Sequence, residues 1–209
     1  VRSRGLGDVY KRQEFANKHQ LMICSDEIHA DLILDEGLQH IPMGSIGGGV
    51  EERSFSLMSL NKTFNFPGLG LAWVICPNSQ LSQQLLKDLH TLIPNPNLLS
   101  YVATQAAIEQ GQAWHQALIQ YLRSNRDYIE QRIQSIPGLS MHHLQATYLA
   151  WIDASKLHWD NPYEQFLNAG VALSPGSQFG DTQFVRLNFG TQRTLLEKAL
   201  DRIELACHP

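Results

Sequence analysis

The chain has 209 residues, 43% of them apolar and 17% charged, enough to bury one large core or two small ones and to exclude global disorder. A net charge of −4 argues against a nucleic-acid backbone as partner, and no apolar run of about 18 residues is present to span a membrane. The three cysteines, Cys24, Cys76 and Cys207, are too far apart for a zinc module and give no disulfide framework, so a reducing cytoplasm is expected.

The opening 13 residues, VRSRGLGDVYKRQ, are basic, contain glycine and show no clear period. They read as a non-native leader, with a flexible native terminus as the alternative. Glu14–His19 reads as the tail of a helix. Leu21–Ser25 is an apolar run of strand length, fit for a buried parallel strand. Gly47–Gly49 is a loop, and without a following Gly-Lys-Ser/Thr it is no phosphate loop. Ser54–Leu60 alternates polar and apolar residues as a second strand, and Leu69–Cys76 follows the Pro67-Gly68 turn as a third.

The period then changes. Leu81, Leu85, Leu86, Leu89, Leu92 and Ile93 have helical spacing, ended by Pro94. Leu98–Gln110 is a second helix. A third, from Gln112 to Ile136, carries Leu118, Leu122, Ile129, Ile133 and Ile136 as its buried stripe, before Pro137-Gly138. Thr147–Asp153 is a strand. Asn161-Pro162 pairs an N-cap with proline at the first helical position, and Gly170 closes that helix. Val171–Ser174 and Phe184–Phe189 are strands, and Thr191 caps a final helix through Leu195, Leu196, Ala199, Leu200 and Ile203. The layout is α/β, then helices, then a small α+β unit. His142-His143 reads as a solvated strand end, and the four tryptophans as packing residues, since no basic stripe interleaves them.

Two polar clusters follow strands directly: Asp26-Glu27-Ile28-His29, and Ser59-Leu60-Asn61-Lys62-Thr63. Open α/β sheets bind ligands outside the carboxyl ends of their strands. Three readings compete. Asp26 caps a turn and Lys62 is a solvated lysine; or Glu27, His29 and Asp31 share one face of an extended segment as metal ligands, although no diagnostic ligand spacing is present; or Lys62 and Asp26 serve pyridoxal phosphate. That cofactor needs a lysine for a Schiff base and an acid beside its pyridine nitrogen.

The surrounding residues favour the third. SDEIHADL (25–32), SLNKTFNFPGLG (59–70), TYLAWID (147–153), SPGSQFG (174–180) and VRLNFG (185–190) occur in order. Together they resemble the fold-type I pyridoxal phosphate enzymes, the aminotransferase class I/II superfamily. Within it the chain looks most like the cystathionine β-lyase, or C–S lyase, branch. The resemblance runs from about Glu14 to the C-terminus.

It implies a partial large domain over 14–111, a truncated mixed sheet with helices. A long interdomain helix and a small α+β domain would follow over 112–209. It implies pyridoxal 5'-phosphate as cofactor, no metal, a small amino-acid substrate and a homodimer. Lys62 would carry the cofactor and move the substrate α-proton, and Asp26 would pair with the pyridinium nitrogen. His29 falls where many aminotransferases place a tyrosine near the cofactor's phenolic oxygen. Ser59 matches a phosphate-binding hydroxyl, and Arg186 the arginine that takes the substrate α-carboxylate in a bidentate fork.

There are departures. Gly70 stands where many aminotransferases have a phosphate-binding arginine, which the lyase branch also lacks. The family's upstream phosphate loop, ring-stacking aromatic and N-P-x-N-P-x-G segment are not in the chain, which reads as the C-terminal half of a longer enzyme. Expressed alone it is expected to be inactive. The implied reaction is α,β-elimination from a sulfur amino acid. Aminotransfer is one alternative, and a non-catalytic dimerisation or regulatory domain the other.

Overall fold

Strand-forming runs and helical repeats alternate along the chain, and the computed structural model, which describes residues 6–208, places them in two units. The first comprises residues 6–33 and 37–116, the second residues 34–36 and 117–208. Residues 1–5 of the expected leader lie outside the described residues.

The first unit opens with α1 (Leu6–Lys18). This helix reaches back beyond the Glu14–His19 segment expected from sequence. Among its described side chains Ala16 is buried, and polar side chains tie the helix to distant segments. The amides of Gln13 and Asn17 donate to the carbonyls of Gly47 and Gly48, and Arg53 donates to the Asn17 side chain. The sheet contains β1 (Ile23–Asp26), β2 (Ser54–Met58) and β3 (Trp73–Ile75) in that order. β1 runs parallel to β2, with Ile23 opposite Ser54 and Asp26 opposite Leu57. β3 is antiparallel to β2, pairing Ser56 with Ile75 and Met58 with Trp73. It is shorter than expected because Pro67–Leu69 forms a single 3-10 turn, closed by Gly70 in the left-handed region at φ +58°.

α2 (Ser79–Leu92) and α3 (Leu98–Gln110) start on the side chains of Asn78 and Asn97, which accept from the N–H groups of Leu81 and Ser100. Both caps satisfy a first-turn donor that would otherwise lack a partner. No residue of α2 is buried, and Leu86 and Leu92 lie exposed. α3 buries its small side, Ser100, Thr104 and Ala107, and leaves Leu98, Leu99, Val102 and Ile108 in solvent.

α4 (Gln112–Ser135) continues into the second unit. Its stripe of Leu122, Ile129 and Ile133 is fully buried, as the spacing predicts. The second sheet has the order β4 (Ser140–Met141), β5 (Leu149–Asp153), β7 (Phe184–Asn188), β6 (Ser174–Pro175), and every pairing is antiparallel. Ala150, Ile152, Val185 and Leu187 alternate onto one buried face of this sheet. α5 (Pro162–Asn168) and α6 (Arg193–Cys207) add Phe166, Leu196, Leu200 and Ile203 to the core.

Three local readings change. β4 is too short for a period to register. β6 begins only at Ser174, because the Val171 N–H is used by the Phe166 carbonyl in closing α5. Thr191 does not cap α6. Gln192 occupies the cap without a side-chain bond, the Arg193 N–H donates to the Tyr121 hydroxyl at 2.7 Å, and the Thr191 carbonyl accepts from Asn125.

The segment 34–36 is fastened by charge. Arg126 pairs with Asp35 and Asp127, and Arg123 with Glu36. His143 bridges Glu130 and Asp35, each at 3.0 Å, and these bonds raise its pKa. His142 and His143 are both exposed just after β4, the solvated strand end expected from sequence, and His143 uses its exposed ring for these two bonds.

Asn125 is wholly buried, and its amide donates to the carbonyls of Phe189 (3.0 Å) and Thr191 (3.1 Å), tying α4 to the end of β7. Asn125→Leu strands both carbonyls. We expect a loss of about 1–3 kcal/mol, read as a lower urea midpoint for the Trp151 and Trp159 fluorescence transition.

Candidate functional site

The site is built on the parallel pair. Adjacent parallel strands end on the same edge of a sheet, about 4.8 Å apart. Asp26 is the last residue of β1, opposite Leu57, and Ser59–Lys62 follow β2 directly. One sheet edge therefore carries the acid and the amine.

Asp26 is exposed, and its carboxylate accepts only the Ile28 N–H, at 3.3 Å. Lys62 sits half-buried in a turn closed by Phe64 N–H to the Leu60 carbonyl (2.9 Å) and Phe66 N–H to the Asn61 carbonyl (3.1 Å). Among the described residues neither Asp26 nor Lys62 is part of an ion pair, and the Lys62 amine makes no hydrogen bond. On either side of Lys62, Asn61 Oδ1 and Thr63 Oγ1 are enclosed without a partner. Enclosed polar atoms without partners mark a place where a polar ligand can bind. A cavity of about 300 Å³ opens beside this turn, lined by Asp31, Leu60, Thr63, Phe64, Ile108 and His115. Phe64 stacks on Trp114 at 5.5 Å, and the His115 ring lies 2.7 Å from the Asp31 carbonyl.

His29 is half-buried in the turn after β1, where its carbonyl accepts the Leu32 N–H at 3.0 Å. Ser59 is buried. Its hydroxyl donates to the Leu71 carbonyl at 2.8 Å and accepts the Asn61 N–H at 3.1 Å. Its proton is thus used within the turn, and donating it to a phosphate requires the hydroxyl to rotate. Arg186 belongs to the second unit, in the middle of β7 opposite Trp151.

Glu27 shows what its neighbours in sequence do not. It is 5% exposed, and its carboxylate takes the Ser56 hydroxyl (2.8 Å), the Met43 N–H (3.0 Å) and the His40 ring (2.8 Å). The metal reading gave this carboxylate to a cation, whereas the fold uses it to hold the turn after Asp26. Burial pushes its pKa up, but the bonds from His40, Met43 and Ser56 outweigh that and hold it below the ordinary carboxylate range. The sequence signal for this role lay in SDEIHADL itself, but the partners come from distant segments.

The profile of the family "Aminotransferase class I and II" matches residues 8–203. The chain belongs to that family. It is 35% identical over 196 residues to Protein MalY of Escherichia coli, covering 90% of this chain and 49% of that one. Other relatives are named cystathionine β-lyase. Among solved structures it superposes on OvoB with a TM-score of 0.94 and 41% identity, covering 98% of this chain and 54% of OvoB. With the PLP-bound C–S lyase of Staphylococcus hominis, complexed with L-cycloserine, the TM-score is 0.87 and the identity 31%, over 99% of this chain and 52% of the lyase. The chain thus spans about half the length of the relatives it matches. No helix among the described residues is long and apolar enough to cross a membrane.

A depressed carboxylate stabilises the fold above its unfolded pKa, and that contribution is lost as pH falls through the lower folded value. Glu27→Gln is therefore expected to destabilise the chain at neutral pH by about 1–3 kcal/mol and to flatten the acid limb of the stability curve below about pH 4.5. Urea unfolding across roughly pH 3–7 checks both.

Proposed function

We propose that the full-length protein is a pyridoxal 5'-phosphate-dependent carbon–sulfur β-lyase. It would release thiol, pyruvate and ammonia from cystathionine or another cysteine S-conjugate, as a homodimer in the cytoplasm. The observation that carries this reading is an unpaired Asp26 and an unpaired Lys62 on one edge of a parallel strand pair, within a family whose solved members include a PLP-bound C–S lyase.

The residues fit the cofactor. A basic amine, a carboxylate and two enclosed, unsatisfied oxygens are the donor set that an aldehyde, a ring nitrogen and polar ring substituents call for. When bound, the cofactor supplies a sink for the electron pair left on the substrate α-carbon. Asp26 keeps a proton on the ring nitrogen, which makes that sink effective. Lys62 would hold the cofactor covalently, and its Nζ would take the substrate α-proton. With that proton gone, the Cβ–S bond breaks and the sulfur leaves with its electron pair. Hydrolysis of the unsaturated product gives pyruvate and ammonia. Arg186 takes the α-carboxylate in a planar fork, and His29 and Ser59 line the cofactor side of the site.

The homodimer reading is supported by the exposed apolar side chains Leu86 and Leu92 of α2 and Leu98, Leu99, Val102 and Ile108 of α3, a grouping that monomeric soluble proteins rarely leave uncovered. The 209-residue chain alone is proposed to be inactive, a reading supported by its spanning only about half the length of the relatives it matches.

In the full-length protein, Lys62→Ala should abolish covalent attachment of the cofactor after borohydride reduction, read by intact mass, and lower pyruvate release from cystathionine by at least about a thousandfold. An adduct that persists overturns the assignment of Lys62. Amino-group transfer that requires an added keto acid, with no pyruvate formed in its absence, makes the protein an aminotransferase.

For the isolated chain, the expected outcome is no pyruvate from cystathionine and a concentration-dependent loss of soluble protein. Turnover comparable to the full-length protein rejects the expected inactivity.

A further inference from the structure

The sequence stretch SPGSQFG has no role in the chemistry above, and the fold brings it against Arg186. Directly opposed residues of antiparallel strands project from the same face. Arg186 is opposite Trp151 of β5 and Ser174 of β6, so all three share the face turned away from the buried row Ala150, Ile152, Val185 and Leu187. The turn Gly176–Phe179 then brings the Phe179 ring onto the guanidinium, 4.3 Å from ring centre to the central carbon. Trp151 meets Phe179 edge-on at 5.6 Å and stacks on Phe184 at 5.3 Å, with 13° between planes. An aromatic row, Phe184–Trp151–Phe179, therefore ends on the arginine.

The glycines of the stretch make this possible. A Cβ on Gly176 would run into the carbonyls of Asp181 and Phe184, so only glycine lets the turn lie this close to the start of β7. Gly180 ends the turn at φ +93°, a conformation L side chains rarely adopt.

We propose that Phe179 is a positioning residue that fixes the Arg186 guanidinium for a substrate carboxylate. This deepens the proposed function and rests on its assignment of Arg186. A ring on the guanidinium face holds the group by cation–π attraction without using any of its in-plane N–H donors, whereas a carboxylate partner would use them. Among the described residues no carboxylate pairs with Arg186. Nη2 makes one long bond to the Ser174 hydroxyl, at 3.4 Å, and Nε is enclosed with no partner. The cation is held in place by stacking, and the Nη1–Nη2 edge keeps its donors for a bidentate ligand.

The test compares Phe179→Leu, Phe179→Tyr and Arg186→Lys in the full-length protein, with cofactor content measured for each. Removing the ring should raise KM for the amino-acid substrate about tenfold with kcat changed less than about threefold, while Phe179→Tyr, which keeps the π face, stays within about threefold of the parent. Arg186→Lys should raise KM at least as far as Phe179→Leu. In parallel, the Arg186 δ-protons of the full-length protein should show an upfield ring-current shift that Phe179→Leu removes and Phe179→Tyr keeps. If Phe179→Leu binds substrate like the parent while Arg186→Lys does not, Phe179 has no positioning role. If Leu and Tyr variants are equally impaired, the ring's π face is not what matters and the proposal also falls. If Arg186→Lys itself leaves KM unchanged, it is the assignment of Arg186 under the proposed function that fails.

Discussion

Parallel pairing of β1 with β2 is the constraint from which the candidate chemistry follows. Two residues 36 positions apart, Asp26 and Lys62, reach one edge of the sheet only because both strands run the same way. An antiparallel pairing would send them to opposite ends. The pairing needs a long connection between the strands, residues 27–53, and the fold uses that connection rather than merely tolerating it. Its first side chain, Glu27, bonds to Ser56 on β2 and to His40 and Met43 further along. A buried carboxylate with three partners is stable as an anion and costly to disturb, so the turn that begins at Asp26 is held from several directions.

The second unit solves a different problem. Its antiparallel sheet buries one row of apolar residues and leaves the other row for polar and aromatic side chains, the division expected of a sheet with only one packed face. Arg186 lies in that second row. A lone arginine on a strand would be mobile, as its long side chain has much rotamer entropy to lose. Neighbouring Trp151 and Ser174 and the overlying Phe179 restrict it without neutralising its charge. The cation therefore stays available to an anion from outside the sheet.

α2 and α3 carry a contrast of their own. Each starts on a good cap, yet Leu86 and Leu92 of α2 and Leu98, Leu99, Val102 and Ile108 of α3 face solvent, and α3 instead packs through Ser100, Thr104 and Ala107. Periodicity reports that a helix has two faces. It cannot say which face is covered, or by what. Small residues allow close approach of backbones, so they claim the internal contact, and the larger apolar side chains are left as surface of the kind that associates.

The sequence by itself determined most elements and their kinds. Caps such as Asn161 before Pro162, the stop at Pro137-Gly138 and the 3.6-residue stripe of α4 act locally, within one or two turns of chain. The clusters around Asp26, Lys62 and Arg186 were legible for the same reason, since each sits in a short, distinctive string. What the sequence could not show were contacts between distant segments. The docking of α1 uses amide bonds from Gln13 and Asn17 to Gly47 and Gly48; the role of Glu27 depends on His40, Met43 and Ser56; the start of α6 depends on Tyr121; and the role proposed for SPGSQFG depends on Phe179 reaching Arg186. Local preferences are set by backbone torsions and nearest neighbours, so they can be read along the chain. Hydrogen bonds and ring contacts between residues far apart in sequence exist only once packing has brought them together, and only the tertiary structure decides them.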